Sequence, residues 1–311
     1  MKKRILIFIM SIFLFLDIVI FYDFIPKNKR VIIYIPKNFS AKQIGNLLKQ
    51  NNLISSVGLF RWVIYFANAE KRIKPGNYQL YYSYTTLPTV YYLVKGPKVI
   101  KVTIPEGFTL EQIAERFYVK GIISDPVEFI TYVKSKNLDG YLFPETYYFY
   151  QGQPIEEVVT KMVNEFYKKY TPDLRQKAYE LKLTTHQVVI LASIIEKEAK
   201  TYEEKRLVSG VFHNRLKKGW NLESCATVRY ALKKFKEPLT YKDTRVNSKF
   251  NTYIYPGLPP QPICNPGLDS IKAAVFPEKT EAMFFFTENN NTHIFSKYYS
   301  QHIKEQKNRK K

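Results

Sequence analysis

An apolar run dominates the start of the chain. It extends for eighteen residues, from Ile5 to Tyr22, and only two polar residues interrupt it. As a helix, a run of this length spans roughly 27 Å, close to the hydrocarbon thickness of a bilayer. No Ala or Gly occurs before Ala41, so the small-residue cleavage site of a signal peptide is missing. The pattern predicts an uncleaved anchor, whose preceding basic residues stay in the cytoplasm and place the rest outside.

The segment after the anchor contains an internal repeat. The stretch around Ile35 matches the stretch around Ile104, an offset of 104 − 35 = 69 residues. Each copy predicts a β-strand, a turn and a helix capped by Ser40 or Thr109, with the strands at 31–35 and 99–104. Residues 76–80 predict another strand and 87–94 another helix.

Strand–helix–helix–strand units of this size resemble LysM modules, which hold N-acetylglucosamine polymers. Repetition by itself indicates only a duplicated folding unit, so a stalk without sugar binding stays open beside a glycan clamp.

A capping box, Thr184 with Gln187, predicts the start of a helix over residues 186–199. At about 100° per residue, this helix has an apolar stripe formed by Leu191, Ile194 and Ile195. Glu198 falls within the stripe, and Glu196 falls on the more polar side, where water can reach it. A carboxyl in apolar surroundings has a raised pKa and can donate a proton near neutrality. The alternative is a frayed helix end with both glutamates solvated.

The composition limits the classes of partner that the chain is expected to bind. The chain has 311 residues with 48 Lys and Arg against 27 Asp and Glu, a net charge of +21, which suggests an acidic partner. If the anchor places the chain outside the cell, nucleic acid is excluded and a cell-wall polymer becomes the favoured partner. The 22 Phe, 25 Tyr and 2 Trp suit a carbohydrate-binding surface, although a compositional bias of the genome also explains them.

Other candidate sites are weak. The four histidines do not reach metal-ligand spacing, and we expect neither metal nor cofactor. A disulfide between Cys225 and Cys264 and two separate thiols are both open. The basic tail at residues 304–311 is expected to be a solvated or frayed end.

Several motifs, in order, resemble the endolytic murein transglycosylase family, the YceG-like or MltG-like proteins. They cover essentially the whole chain after the anchor, and five in the same order make a specific match. The motifs are Leu138-Asp139-Gly140-Tyr141-Leu142-Phe143-Pro144-Glu145-Thr146-Tyr147, Leu191-Ala192-Ser193-Ile194-Ile195-Glu196-Lys197-Glu198, Val211-Phe212-His213-Asn214-Arg215-Leu216, Asn251-Thr252-Tyr253 and Gly257-Leu258-Pro259-Pro260-Gln261-Pro262-Ile263-Cys264-Asn265-Pro266-Gly267.

The resemblance implies cleavage within peptidoglycan strands, between N-acetylmuramic acid and N-acetylglucosamine. Carried over by motif position, the catalytic glutamate is Glu198, with Glu196 as the fallback. The muramic acid's own C6 hydroxyl would attack, so one carboxyl acting first as acid and then as base would suffice. Matching motif positions imply that four residues line the glycan groove: Glu145, Tyr147, Asn214 and Asn251.

One loop departs from the family pattern. The family usually reads Leu-Gln-Ser-Asp-Pro-Thr-Val where this chain reads Leu222-Glu223-Ser224-Cys225-Ala226-Thr227-Val228. If the loop shapes the groove, substrate preference or rate is expected to differ. The loop is not expected to touch Glu198.

The sequence therefore predicts an α+β protein of the inner (cytoplasmic) membrane, single-pass, with its C-terminal domain periplasmic or otherwise extracytoplasmic. The predicted parts are an anchor (1–24), a LysM-like domain (25–98), a second repeat copy with a connector (99–150) and a mixed α/β lytic domain (151–311). Expected partners are glycan strands, the membrane and peptidoglycan synthases. The alternatives are a non-catalytic wall-binding scaffold and a muramidase-type hydrolase, whose second acid would be Glu145 or Glu223 near Glu198.

Overall fold

A computed structural model of the chain describes residues 30–82, 85–288 and 292–309. Within these ranges the fold contains twelve α-helices and six short strands arranged as three two-stranded sheets, which confirms the α+β class. None of the helices in the described ranges has the length and apolar character needed to cross a membrane. The predicted anchor at residues 5–22 lies outside the described residues.

The chain divides into two compact units. The first contains the described residues up to Lys101 together with 120–124 and 148–153, and the second contains 102–119, 125–147 and the described residues from Pro154 onward. The helices of the second repeat copy thus belong to the second unit. The domain boundaries expected at residues 24, 98 and 150 remain predictions.

The first unit begins with an antiparallel strand pair. Strand β1 (Arg30–Ile35) pairs with β2 (Gly76–Tyr81), so that Ile33 lies opposite Tyr78. Three helices complete the unit, and their inward side chains, with those of the strands, form its core. The helices are α1 (Ala41–Gln50), α2 (Val57–Phe66) and α3 (Thr86–Lys95).

The second repeat copy has the predicted order of elements. It consists of β3 (Val99–Thr103), α4 (Leu110–Val119), α5 (Pro126–Ser135) and β4 (Thr146–Tyr150), with β3 and β4 forming one sheet. Helices α4 and α5 begin 69 residues after α1 and α2, since 110 − 41 and 126 − 57 both give 69. Ser40 and Thr109 cap their helices as expected. The likeness to LysM modules remains a prediction.

The second unit is built around one buried helix. Helix α8 (Thr185–Glu198) packs against four other helices, and every residue from 188 to 195 is buried. The Thr184–Gln187 capping box that opens it is present, as predicted. The helices of this part of the chain are α6 (Ile155–Lys169), α7 (Pro172–Glu180), α8, α9 (Tyr202–Lys217), α10 (Cys225–Leu232), α11 (Leu268–Val275) and α12 (Tyr299–Arg309).

The C-terminal region is more ordered than the sequence suggested. Strands β5 (Phe284–Thr287) and β6 (His293–Ser296) pair antiparallel, and α12 follows them. The lysines of α12 that the structure describes are exposed, as expected of a solvated tail. Residues 304–309 are helical, so the alternative of a frayed end is wrong for them. The ring of His302 lies 5.4 Å from the ring of Phe284, centroid to centroid.

Candidate active site

Glu198 is the last residue of α8, and its side chain reaches the start of α10. Its Oε1 atom accepts a hydrogen bond from the Ser224 hydroxyl and another, at 3.5 Å, from the backbone N–H of Ala226. Backbone N–H groups at a helix N-terminus favour negative charge. The expectation that the departing loop does not touch Glu198 is therefore wrong. The loop enters from a distant part of the chain, so a helical wheel for α8 alone cannot reveal it.

The environment of Glu198 favours its neutral form. Burial raises the pKa of this carboxyl, and the bonds from Ser224 and Ala226 lower it without cancelling the effect. Because both donors address Oε1, the proton of the neutral acid belongs on Oε2. This is the arrangement a proton donor needs, with one oxygen held and the other carrying the proton.

Two cavities meet at Glu198. One has a volume of about 390 Å³ and the other about 320 Å³, and Glu198 and Cys225 contribute to the walls of both. The larger cavity is lined mainly by β5, α12 and the 222–225 loop, and the smaller by α10 and residues near Phe235. A linear polymer lying through both would therefore pass the carboxyl at an internal position.

The wall of the larger cavity is aromatic. Phe284 and Tyr299 line it with their rings 5.6 Å apart, and the guanidinium of Arg215 lies 5.3 Å from the Phe284 ring. Such rings offer apolar faces and polar edges to a sugar.

The smaller cavity is basic. Lys197 and Arg229 line it, and Glu198 is the acidic residue in its wall. Arg229 donates to the backbone carbonyls of Lys234 and Glu237, which fixes the guanidinium in place.

The Glu196 carboxylate is held by a buried ion pair and hydrogen bonds, which is typical of a structural role. Its carboxylate pairs with Lys205 at 3.2 Å and accepts from the Ser270 hydroxyl at 2.6 Å and from the Gly267 N–H at 3.0 Å. The side chains of Glu196 and Lys205 are only 9% and 4% exposed. The expectation that water reaches Glu196 is therefore wrong, because α9 and α11 cover the side of α8 that looked polar.

The structure does not bring Glu145 or Tyr147 to the cavities beside Glu198. Glu145 is exposed and lies 3.9 Å from the Lys169 ammonium. Tyr147 is buried, and its hydroxyl donates to the Phe143 carbonyl at 2.7 Å. Their predicted roles in substrate binding stay predictions.

Asn214 and Asn251 hold backbone segments. Asn214 donates to two carbonyls of the 280–282 segment, at 2.8 and 3.0 Å. Asn251 is fully buried, donates to two carbonyls in residues 244–246 and accepts from the N–H of Tyr253. Neither amide lines the cavities beside Glu198, although Asn251 fixes the loop that carries Tyr253, which does. Direct contact of the two amides with glycan remains a prediction.

The larger cavity contains Glu223, which sequence reasoning named only as the second acid of a hydrolase, and Cys225, to which it gave no role in the site. Sequence reasoning missed the aromatic residues Phe284 and Tyr299, which also line this cavity. Glu223 lies in its wall, and its carboxylate pairs with Arg215 at 2.8 Å. Cys225 lies 3.1 Å (Sγ) from the Tyr253 hydroxyl. The change from the family's usual residues at 223 and 225 was the one signal available, since both positions lie in the departing loop.

The two cysteines are both free thiols. Cys225 is exposed and Cys264 is buried, where its Sγ donates to the Ser193 carbonyl at 3.3 Å. In the described part of the chain, no three His, Cys, Asp or Glu side chains lie together as a metal site requires. That no cofactor is needed stays a prediction from the sequence.

Comparison with known proteins identifies the family of this chain. A sequence model of the YceG-like family matches residues 33–308. The chain belongs to the YceG-like family.

Relatives named endolytic murein transglycosylase include proteins of two bacteria. That of Bacillus subtilis (strain 168) is 31% identical, over 88% of this chain and 82% of the relative. That of Streptococcus pneumoniae (strain D39) is 28% identical over 84% of this chain, which spans only 55% of that relative's length. A 2.6 Å crystal structure of a yceG-like protein from Listeria monocytogenes superposes with a TM-score of 0.58, at 31% identity, over 89% of this chain and 99% of that one.

Proposed function

We propose that this chain is an endolytic lytic transglycosylase, which cleaves the bond between N-acetylmuramic acid and N-acetylglucosamine inside peptidoglycan strands. The observation that carries the proposal is Glu198, a carboxyl with a raised pKa in the common wall of two cavities. Membership of the YceG-like family and the names of the relatives support it.

Glu198 performs two proton transfers. Its Oε2 first protonates the glycosidic oxygen, and the bond from that oxygen to C1 of the muramic acid breaks. The resulting carboxylate then takes the proton of the C6 hydroxyl of the same sugar, whose oxygen bonds to C1 and closes a 1,6-anhydro ring. Atoms and charge balance without water, and the intramolecular attack has a high effective molarity.

The cavities on either side of Glu198 suit an internal cleavage site. The aromatic wall of the larger cavity would hold sugar rings, and the basic smaller cavity would attract the carboxylates of muramic acid and its peptides. We include in the proposal the inner-membrane anchor at residues 5–22, an extracytoplasmic catalytic unit and LysM-like repeats that hold glycan. Action beside peptidoglycan synthases also belongs to the proposal.

A hydrolase is the second candidate, because Glu223 lies in the same cavity wall as Glu198. Its carboxylate pairs with the Arg215 guanidinium, and a hydrolase needs a second carboxylate beside the acid to activate water. Glu145, the other acid considered, lines neither cavity.

Product analysis separates the candidates. Purified full-length protein is incubated with peptidoglycan sacculi, and the soluble fragments are analysed by mass. We expect internal fragments with 1,6-anhydromuramic ends. Reducing muramic ends would support the hydrolase and contradict the proposal, and intact glycan with bound protein would support a scaffold.

A further inference from the structure

One helix of the first unit is apolar on two sides. Helix α2 turns Phe60 and Ile64 into the core, where both are buried. Its remaining apolar side chains, apart from Val57 and Val63, are exposed. They are Leu59, Trp62, Tyr65 and Phe66, which are 48%, 61%, 79% and 66% exposed and which we call the aromatic face of α2.

The aromatic face is contiguous. At 100° per residue, its four side chains fall within an arc of about 120°. The Trp62 and Phe66 rings lie 4.4 Å apart and the Tyr65 and Phe66 rings 5.4 Å apart, centroid to centroid. A soluble helix normally buries one apolar stripe and exposes polar residues, whereas a contiguous exposed aromatic patch marks an interaction surface.

The position of the first unit beside the predicted anchor, together with its charge, indicates that its partner is the membrane surface. Seven residues, 23–29, separate the predicted anchor run from Arg30 at the start of β1. Fully extended, that linker spans at most about 28 Å, so the first unit cannot leave the vicinity of the bilayer. Residues 30–101 contain eleven Lys or Arg and a single acid, Glu70, a charge balance that complements anionic lipid.

We propose that the aromatic face of α2 docks on the surface of the anionic membrane that carries the anchor. Trp and Tyr side chains prefer the headgroup level of a bilayer, where the ring is shielded and its polar edge stays wet. Lys and Arg of the same unit add electrostatic attraction. The inference rests on the proposed anchor and is independent of the catalytic activity.

Tryptophan fluorescence provides the test, because the chain has only Trp62 and Trp220. The full chain with Trp220→Phe, which retains Trp62, is reconstituted in vesicles of phosphatidylethanolamine and phosphatidylglycerol. A second preparation uses the same lipids with brominated acyl chains, which quench tryptophan on contact. We expect blue-shifted Trp62 emission and a clear loss of intensity in brominated vesicles.

Substitutions within the face provide the control. Tyr65→Ser and Phe66→Ser alter exposed side chains and should reduce the quenching of Trp62. Tyr179→Ser, which changes a residue of the other unit with a similar exposure of 77%, should leave the quenching unchanged.

Each other outcome contradicts the proposal in a recognisable way. Emission of an exposed indole that brominated lipid does not quench means that the face stays in water. A blue shift without lipid quenching means that a protein, such as a second copy, covers it. A response of Trp62 to chitooligosaccharide alone identifies a glycan site. If the chain fails to float with the vesicles, the anchor itself is wrong.

Discussion

At Glu198, burial and hydrogen bonding act on the pKa in opposite directions. Burial raises the pKa of the carboxyl, and the Ser224 hydroxyl and the Ala226 N–H lower it. A general acid near neutrality needs this balance, because it must hold a proton at rest and release it in the transition state. Ser224, itself almost fully buried, is thus a positioning residue for the proposed acid.

Removing the Ser224 hydroxyl tests this balance. In Ser224→Ala the carboxylate loses a hydrogen-bond donor, so the pKa of Glu198 rises further. The alkaline limb of the pH profile of kcat/KM should therefore move to higher pH, and kcat should fall. Ser224→Thr, which keeps a hydroxyl, should restore the wild-type limb. If the alkaline limb of Ser224→Ala stays at the wild-type pH, the Ser224 hydrogen bond does not affect the pKa of Glu198.

Glu196 and Glu198 are two residues apart on one helix, and their removal should have opposite effects on stability. Glu196→Gln leaves the buried Lys205 ammonium without its counter-charge, which costs about 3 kcal/mol of unfolding free energy. Glu198→Gln removes a carboxyl whose folded-state pKa is raised, so above the unfolded-state pKa the wild-type protein is penalised and the variant is not.

Urea unfolding at neutral pH measures both changes. We expect a lower midpoint for Glu196→Gln, with glycan cleavage retained by the folded fraction, and an equal or higher midpoint for Glu198→Gln. The reverse order would exchange the roles of the two glutamates.

At the scale of elements, α9 and the segment that crosses it approach unusually closely. A Cβ atom at Gly210 would lie 2.5 Å from the Glu278 carbonyl oxygen and 2.8 Å from the Thr280 methyl carbon. This contact fixes the segment leading to β5, and Phe284 and its neighbours on that strand line the larger cavity.

Gly210→Ala should therefore destabilise the second unit by about 2 kcal/mol, because overpacking exceeds the gain of roughly 1 kcal/mol from helix propensity. Gly58→Ala in α2 is the matched control, since its Cβ would meet only the Ser56 hydroxyl at 3.7 Å. It should leave stability unchanged or raise it. Trp220 and Trp62, each in a single-tryptophan background, report the unfolding of the respective units. Equal effects of the two substitutions would show that α9 has room to move.

Elements with a local signal were predictable from the sequence. The 69-residue offset predicted both copies of the repeat, and capping residues placed the start of α8 within one residue. The same helical wheel correctly predicted that burial raises the pKa of Glu198. It misjudged Glu196, whose environment is made by Lys205 and Ser270 on other helices.

The rest of the site depends on contacts between distant parts of the chain. Ser224 reaches Glu198 across 26 residues, and His302 of α12 reaches the cavity across about a hundred. The periodicity of hydrophobic residues does not predict contacts between residues so far apart in the sequence. Polar residues such as Asn214 and Asn251 match motifs but hold backbone carbonyls, and a sequence cannot separate that role from substrate contact.

At the scale of the whole molecule, the proposed arrangement joins a membrane-proximal unit to a catalytic unit on one chain. Each unit has its own core, and each presents aromatic side chains where a partner is proposed. In the first unit the aromatic face of α2 would meet lipid, and in the second the wall around Phe284 would meet sugar. The high aromatic content of the chain thus has two candidate uses.

The most direct test of the central claim compares wild-type protein with Glu198→Gln on intact sacculi, with the anhydromuramic ends counted by mass. General acid–base catalysis contributes about 10²–10⁴ in rate, so the variant should lose at least about a hundredfold in the formation of these ends while still binding glycan. Substantial formation of anhydro ends by Glu198→Gln would contradict the account, as would reducing ends released by the wild-type protein.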